Sequence, residues 1–297
     1  MSDPRIVVVG DALIDELVSA ESTEEHVGGA ALNVAVGLRI LGLDVDLVAM
    51  VGTDGPGETI RRHLAHWGVR LHPTFTDVSS RAISDRSAGE PRYRFNTAAQ
   101  QRRIAFDPAQ RAALDRADLI LVSCFPFDDQ PQVDLLLESV GKGDRVILDP
   151  NPRSGMMHDP ELFLENFEAL ASRSLLTKIG DEDADLLYGL PLRDVIGRLH
   201  ERGASAILAT AGAGGASLIA PGVRVDVGIA ELPQPIVDTM GAGDATLAAV
   251  AETIAREGMP TDPAEAERML ESAMRVAAAT CRHPGALLRI PVESNPH

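Results

Sequence analysis

The segment richest in chemistry runs Asp238-Thr239-Met240-Gly241-Ala242-Gly243-Asp244. It stands where an amphipathic helix should begin: Leu247, Val250, Ala251 and Ile254 recur at helical spacing, and Gly258 supplies a stop. Small residues at a helix start let a ligand approach the backbone. The unpaired amides of the first turn then face that ligand with the positive end of the helix dipole. Such a site suits a phosphoryl group, whose transition-state charge is spread over several oxygens. A carboxylate beside an anion is out of place unless it has its own task, and taking a proton from an attacking hydroxyl is such a task. Taken alone, the same residues fit a plain glycine turn followed by a helix-capping Asp244.

A second constellation is Gly28-Gly29-Ala30-Ala31-Leu32-Asn33-Val34-Ala35. Gly28 and Gly29 would admit a ligand at a helix start. Asn33 puts a carboxamide on the first turn of an otherwise apolar helix, where it needs a partner, either a ligand or a neighbouring loop. A third is Asp149-Pro150-Asn151-Pro152-Arg153, at the end of a strand-like run where open α/β sheets bind ligands. Its prolines stiffen the turn, and the planar fork of Arg153 suits a carboxylate, a phosphate or a pair of hydroxyls. The alternative partner for Arg153 is a nearby acid such as Asp159.

The elements that must position these residues alternate along the chain. Strands are expected at Arg5–Gly10, Asp44–Val51, Asp118–Ser123, Arg145–Asp149, Leu175–Thr177, Ser205–Thr210 and Gly215–Ile219. Helices are expected at Ala30–Leu41, Gly57–Trp67, Gln130–Val140, Glu161–Ser172, Leu192–Arg202, Ala242–Glu257 and Pro263–Cys281. Continuous apolar strands such as Ile6-Val7-Val8-Val9 imply a mostly parallel sheet covered on both faces, a three-layer α/β/α sandwich. Ala12–Val27 and Leu71–Arg103 lack a helical period, and compact domains rarely hold unstructured stretches that long. They are read as a small antiparallel sheet, a lid over one edge of a single domain spanning 1–297.

Composition narrows the function classes. The formal net charge of −17 argues against a nucleic-acid backbone or an anionic membrane as partner. It does not argue against a nucleotide, which needs only local positive potential. Cys124 and Cys281 are far apart and share no metal-ligand spacing, which fits a reduced, cytoplasmic setting. The run Ile6–Val9 is too short for a signal segment or a membrane span.

The motifs resemble those of the ribokinase/PfkB carbohydrate kinases, over nearly the whole chain. Asp-Thr-Met-Gly-Ala-Gly-Asp is similar to that family's C-terminal signature, with Met240 in place of a Thr. The resemblance implies that Asp244 is the catalytic base and that Gly241, Ala242 and Gly243 form the anion hole. It implies that Asp238 helps hold K+ in members that use one. Gly28, Gly29 and Asn33 match residues that contact sugar hydroxyls. Gly10-Asp11-Ala12-Leu13-Ile14-Asp15 matches the exit of the first strand, giving Asp15, with Asp11 as second candidate, for the sugar. Asp-Pro-Asn-x-Arg, ending at Arg153, resembles fructokinase-like members. Thr210-Ala211-Gly212-Ala213-Gly214-Gly215 is similar to the nucleotide side, placing Thr210, Gly212 and Gly215, together with Lys178, at ATP. One departure concerns Mg2+: where the family has Asn-x-x-Glu, this chain has Gly180 and Asp183, so Asp183 would hold the metal through water.

The expectation is therefore an ATP- and Mg2+-dependent kinase in which a sugar hydroxymethyl oxygen attacks the γ-phosphate while the lid excludes water. The substrate class is fructose, ribose or a keto-sugar acid, and a homodimer through the lid is expected. Two rivals stand beside it. A nucleoside kinase on the same scaffold would need an aromatic-lined lid, for which Tyr93 and Phe95 are the candidates. A binding protein without turnover would be supported by Gly180.

Overall fold

The computed structural model describes residues 3–18, 22–85, 92–141, 143 and 145–291, with backbone only for 85, 92 and 93. In chain order the elements begin with β1 (Arg5–Gly10), β2 (Leu13–Val18), β3 (Thr23–Gly28), α1 (Ala30–Ile40), β4 (Asp44–Gly52), α2 (Gly55–Trp67) and β5 (Arg70–Thr76). Next come β6 (Ser80–Asp85), β7 (Arg92–Phe95), α3 (Thr97–Gln100), α4 (Pro108–Asp115), β8 (Leu119–Ser123), α5 (Gln130–Val140) and β9 (Val146–Asp149). The remainder are α6 (Pro160–Ala171), β10 (Leu176–Gly180), α7 (Asp181–Tyr188), α8 (Leu192–Glu201), β11 (Ile207–Thr210), β12 (Ala216–Ala220), β13 (Val223–Val227), α9 (Ala242–Glu257) and α10 (Pro263–Thr280).

The large sheet has the order β13-β12-β11-β10-β9-β8-β1-β4-β5. From β11 to β5 every pairing is parallel, and the β12–β13 hairpin closes one edge antiparallel. Successive residues of β1 point to opposite faces, and both faces are covered. Ile6 and Val8 pack in a core with residues of α1, α2, α9 and α10. Val7 and Val9 pack in a second core with residues of α4, α5, α6, α7 and α8. That is why the strand reads as an unbroken apolar run, and it makes the three layers.

The small sheet has the order β3-β2-β6-β7. It leaves the main sheet at the C-terminal end of β1 and returns at the start of α1, at the sheet edge where α/β proteins bind ligands. It differs from the expectation in two ways. It is mixed rather than antiparallel, because β2 pairs β6 in parallel while β3–β2 and β6–β7 are antiparallel. Its second arm also begins later, because Arg70–Thr76 is the edge strand of the main sheet, in register with β4 from Asp46 to Gly52. β5 escaped the sequence reading because an edge strand is only half covered and carries polar residues and Pro73, unlike the central runs. The side chain of Tyr93 lies outside the described residues.

Three further helices were not expected: α3, α4 and α7. They are short, and each is started by a local cap more than by an apolar stripe. Asp107 and Gln110 form a reciprocal capping box before α4, and Asn96 accepts from Ala99 N before α3. No helix among the described residues is long and apolar enough to cross a membrane.

Candidate active site

Gly241 precedes α9 in the left-handed region, at φ 76°, and a Cβ there would lie 2.6 Å from the Ala286 backbone. Only glycine fits, and its absent side chain leaves the helix without a side-chain cap. The amide of Ala242 turns back to the Thr239 carbonyl at 3.2 Å. Those of Gly243 and Asp244 have no acceptor among the described residues. The helix start is thus open to an anion.

Asp244 faces α1, which packs against α9. Its Oδ2 accepts a hydrogen bond from Nδ2 of Asn33 at 2.9 Å. An unpaired carboxamide on that helix would cost about 1–3 kcal/mol, so the partner sought for Asn33 is Asp244. Burial pushes Asp244 up to about 7, the Asn33 donor pulling back and the charge of Asp149 adding to the rise. A carboxyl group so poised suits general-base work near neutral pH.

The two candidate acids of the first strand's exit have different surroundings. Asp11 is buried, and its Oδ1 accepts the Ala31 amide at 3.0 Å. It thereby supplies the N-terminal cap of α1 that Gly29 lacks. Asp15 is half-buried on β2 and accepts no hydrogen bond among the described residues. Its carboxylate leans over Gly28, where a Cβ would lie 1.9 Å from Oδ2. Burial, then repulsion from Asp11, raises Asp15 to about 6. Gly28 is glycine because of that close approach. Gly29, at φ 108°, needs its freedom for the turn into α1.

Arg153 extends from the turn after β9, in which Asn151 takes the left-handed conformation at φ 38°. Arg153 is exposed as a residue while its guanidinium is partly buried, and it makes no ion pair among the described residues, its one bond there being a long one to the Pro152 carbonyl at 3.4 Å. Asp159, the alternative partner, instead caps α6 by accepting from Leu162 N. Asp244, Asp11 and Asp183 are close enough to act on the Arg153 charge.

Farther along the sheet, Lys178 is buried, with Nζ 2.9 Å from Asp149 Oδ1 and 3.8 Å from Asp183 Oδ2. Burial works against its charge, but Asp149 and Asp183 outweigh it and hold Lys178 well above the ordinary lysine value. Asp183 Oδ2 also accepts the Gly180 amide at 2.8 Å. Burial raises its own pKa, against the pull of Lys178. Thr210 ends β11 beside Gly180. Gly212 opens the turn into β12, and Gly215, at φ 87°, packs so closely that a Cβ would lie 2.1 Å from the Val227 carbonyl. Asp238 spends both oxygens on backbone amides, Met240 N and Gly285 N, each at 3.0 Å.

The fold therefore brings Asp244, Asn33, Asp11, Asp15 and Arg153 to one region, with Lys178 and Asp183 beside it and Thr210, Gly212 and Gly215 on the far side. Sequence reasoning missed two residues here, Arg102 and Ser123, and read Asp149 only as the opening of the segment that ends at Arg153. Arg102 is buried and, among the described residues, bonds only carbonyls, those of Cys124 at 3.2 Å, Met156 at 3.3 Å and Ala99 at 3.4 Å. Ser123 and Asp149, register partners at the ends of β8 and β9, join through Ser123 Oγ to Asp149 Oδ2 at 3.0 Å. An acid ending one apolar strand and a lysine inside the next were the available signal. Among the described residues no three His, Cys, Asp or Glu side chains cluster as a metal cage.

A family model described as pfkB family carbohydrate kinase matches residues 3–293. The fructokinase of Salmonella typhimurium is 27% identical, over 97% of this chain and 97% of its own. The fold is similar to the crystal structure of a fructokinase with bound ATP from Xylella fastidiosa, with a TM-score of 0.82, 23% identity and coverage of 95% and 94%. It is also similar to aminoimidazole riboside kinase from Salmonella enterica, complexed with aminoimidazole riboside and an ATP analog, with a TM-score of 0.70, 22% identity and 95% of each chain covered. At these identities the structural likenesses establish the fold alone.

Proposed function

The chain belongs to the pfkB family of carbohydrate kinases, and from that premise we propose that it phosphorylates the hydroxymethyl group of a fructose-like keto-sugar, with ribose-like sugars and keto-sugar acids as the neighbouring substrates. It is an ATP-dependent carbohydrate kinase. The observation that carries the assignment of roles is the 2.9 Å bond between Asp244 and Asn33. That bond puts a carboxyl group poised near neutrality between the open amides of α9 and the glycine-lined entry to α1.

In this reading Asp15 and Asn33 hold sugar hydroxyls, Asp11 fixes the start of α1 beside them, and Gly28 and Gly29 let the ring come close. Arg153, without an ion pair among the described residues, reaches the sugar from the opposite edge. Asp15, Asp11 and Asp244 offer several oxygen acceptors to hydroxyl groups, so the pocket suits a polyol. The substrate oxygen attacks the γ-phosphorus as the bond to the bridging oxygen of ADP breaks, and Asp244 receives the hydroxyl proton. The α9 amides stabilise the oxygens that carry the developing charge. Thr210, Gly212 and Gly215 lie along the nucleotide.

Mg2+ fits the hard oxygen donors present, since Asp183 can hold it through water and the phosphates must supply the rest. When bound with ATP it neutralises phosphate charge. Asp238, the residue matched to K+ binding, spends both oxygens on amides, so K+ would have to share them. The lid closes over the sugar, and a homodimer pairs through the exposed β3 edge, Thr23–His26. A cytoplasmic setting suits ATP use and two free thiols.

The nucleoside alternative has one observation against it: Phe95 is partly buried against the cluster of Ala30, Ala99, Cys124 and Met156, which engages part of the ring a base would stack on. The deciding experiment is an ADP-release assay across sugars, sugar acids, sugar phosphates and nucleosides. Turnover with fructose-like sugars supports the reading. Turnover confined to nucleosides, or none with any acceptor, overturns it.

A further inference from the structure

Lys178 is held by more structure than a buried ion pair needs. Its Nζ lies 2.9 Å from Asp149 Oδ1, and the other oxygen of that carboxylate accepts Ser123 Oγ at 3.0 Å. Ser123 and Asp149 are fully buried, and Lys178 is only 5% exposed. The ends of two neighbouring strands, β8 and β9, therefore act on the one ammonium that β10 carries. A lysine stem has four rotatable bonds and a point charge with no preferred plane, so its direction must come from its partners. Here that partner is a carboxylate whose own rotation is fixed by a hydroxyl.

The direction so imposed is toward α9. Gly243 stands in the first turn of that helix with an ordinary helical φ, so the backbone gives no reason for glycine there. A Cβ at Gly243 would lie 3.7 Å from Lys178 Cε and 3.9 Å from Nζ. Those are ordinary contacts, and they place the ammonium beside the first turn of α9, where the amides of Gly243 and Asp244 are open.

We propose that Ser123 and Asp149 are positioning residues which fix Lys178 Nζ against the phosphate chain at the start of α9, making Lys178 a preset counter-charge for phosphoryl transfer. This rests on the kinase reading and deepens it. It also accounts for Gly180. The backbone amide of that residue anchors Asp183, and a Cβ there would lie only 3.1 Å from the Asp183 carboxylate that completes the surroundings of Lys178.

The test compares dissociation constants for ADP and AMP by calorimetry at fixed salt and Mg2+, in the wild type and in Ser123→Ala, Asp149→Asn, Lys178→Met and the Asp149→Asn/Lys178→Met double variant. The terminal phosphate is what distinguishes the two nucleotides. Lys178→Met is expected to weaken ADP roughly tenfold, the scale of a charge-assisted bond, with AMP nearly unchanged. Ser123→Ala and Asp149→Asn should weaken ADP less, again sparing AMP, and Asp149→Asn should add nothing once Lys178 is Met. Ser123→Ala keeps both charges and the double variant removes both, so the comparison survives if Lys178→Met alone does not fold. Equal loss for ADP and AMP, or independent effects in the double variant, would overturn the proposal. A wild type that prefers ADP, with variants that bind it just as tightly, sinks this inference alone. A wild type with no preference for ADP sinks the kinase reading with it.

Discussion

Asn33 Nδ2 donates to Asp244 Oδ2 at 2.9 Å across 211 residues of sequence, joining the start of α1 to the start of α9. Because the bond favours the charged carboxylate, removing it should raise the Asp244 pKa above about 7. In Asn33→Ala the acid limb of the kcat/KM profile should move to higher pH, and the KM for sugar should rise. An acid limb that stays put would show that Asp244 is not the titrating base.

Asp244→Asn keeps the shape and removes the base. The expected loss in kcat is about 10²–10⁴-fold, and the acid limb should disappear. Stability should move the other way. The folded-state pKa is raised, so the proton is bound more tightly in the folded chain, and the contribution present below the unfolded value near 4 is lost as pH rises through about 7. At pH 8 the amide variant should therefore melt no lower than the wild type. A lower melting temperature at pH 8 would mean that the carboxylate is structural.

Asp15 accepts no bond among the described residues and leans over Gly28, so its work should be on the ligand. Asp15→Asn is expected to raise the KM for sugar with the KM for ATP unchanged. Asp11→Asn should instead lower thermal stability, because one of its oxygens caps α1. Steady-state kinetics and melting curves on both variants check the division; the reverse pattern would reassign the two acids.

Arg153 makes no ion pair among the described residues, which leaves its fork open to a substrate. Arg153→Lys should fold normally and lose catalytic efficiency through the sugar, with ATP affinity kept. Indifference of the best sugar to this change would remove the support for keto-sugars and sugar acids and favour nucleosides.

Gly215→Ala tests the nucleotide edge without touching the chemistry. The position has φ 87° and a carbonyl 2.1 Å from the would-be Cβ. The variant should lose at least about 1 kcal/mol of stability, measured by denaturant unfolding. An unchanged midpoint would mean that the β12–β13 hairpin relaxes freely.

Much of the fold was legible because central strands covered on both faces must be apolar throughout, as Ile6-Val7-Val8-Val9 is, and because α9 and α10 carry regular stripes. β5 was not legible, since edge burial imposes no such run, and neither were α3, α4 and α7, whose caps are signals only a few residues long. The small sheet was legible as two irregular stretches. Its mixed pairing was not, because register between segments more than fifty positions apart is a tertiary matter, fixed where Leu13 meets Ser80.

By itself the sequence determined the layered α/β class, the open helix start at Gly241–Asp244 and the residues able to do acid–base and hydroxyl-binding work. Those follow from local steric and hydrogen-bonding rules that act over a few residues. Tertiary structure alone decided that Asn33 answers Asp244, that Asp11 caps a helix while Asp15 stays open, and that Ser123 and Asp149 direct Lys178. Each of these depends on which strand ends and helix starts are brought within about 3 Å, the reach of a hydrogen bond. Burial then shifts Asp244 to about 7, an outcome set by the surroundings of the carboxyl group and not by its identity.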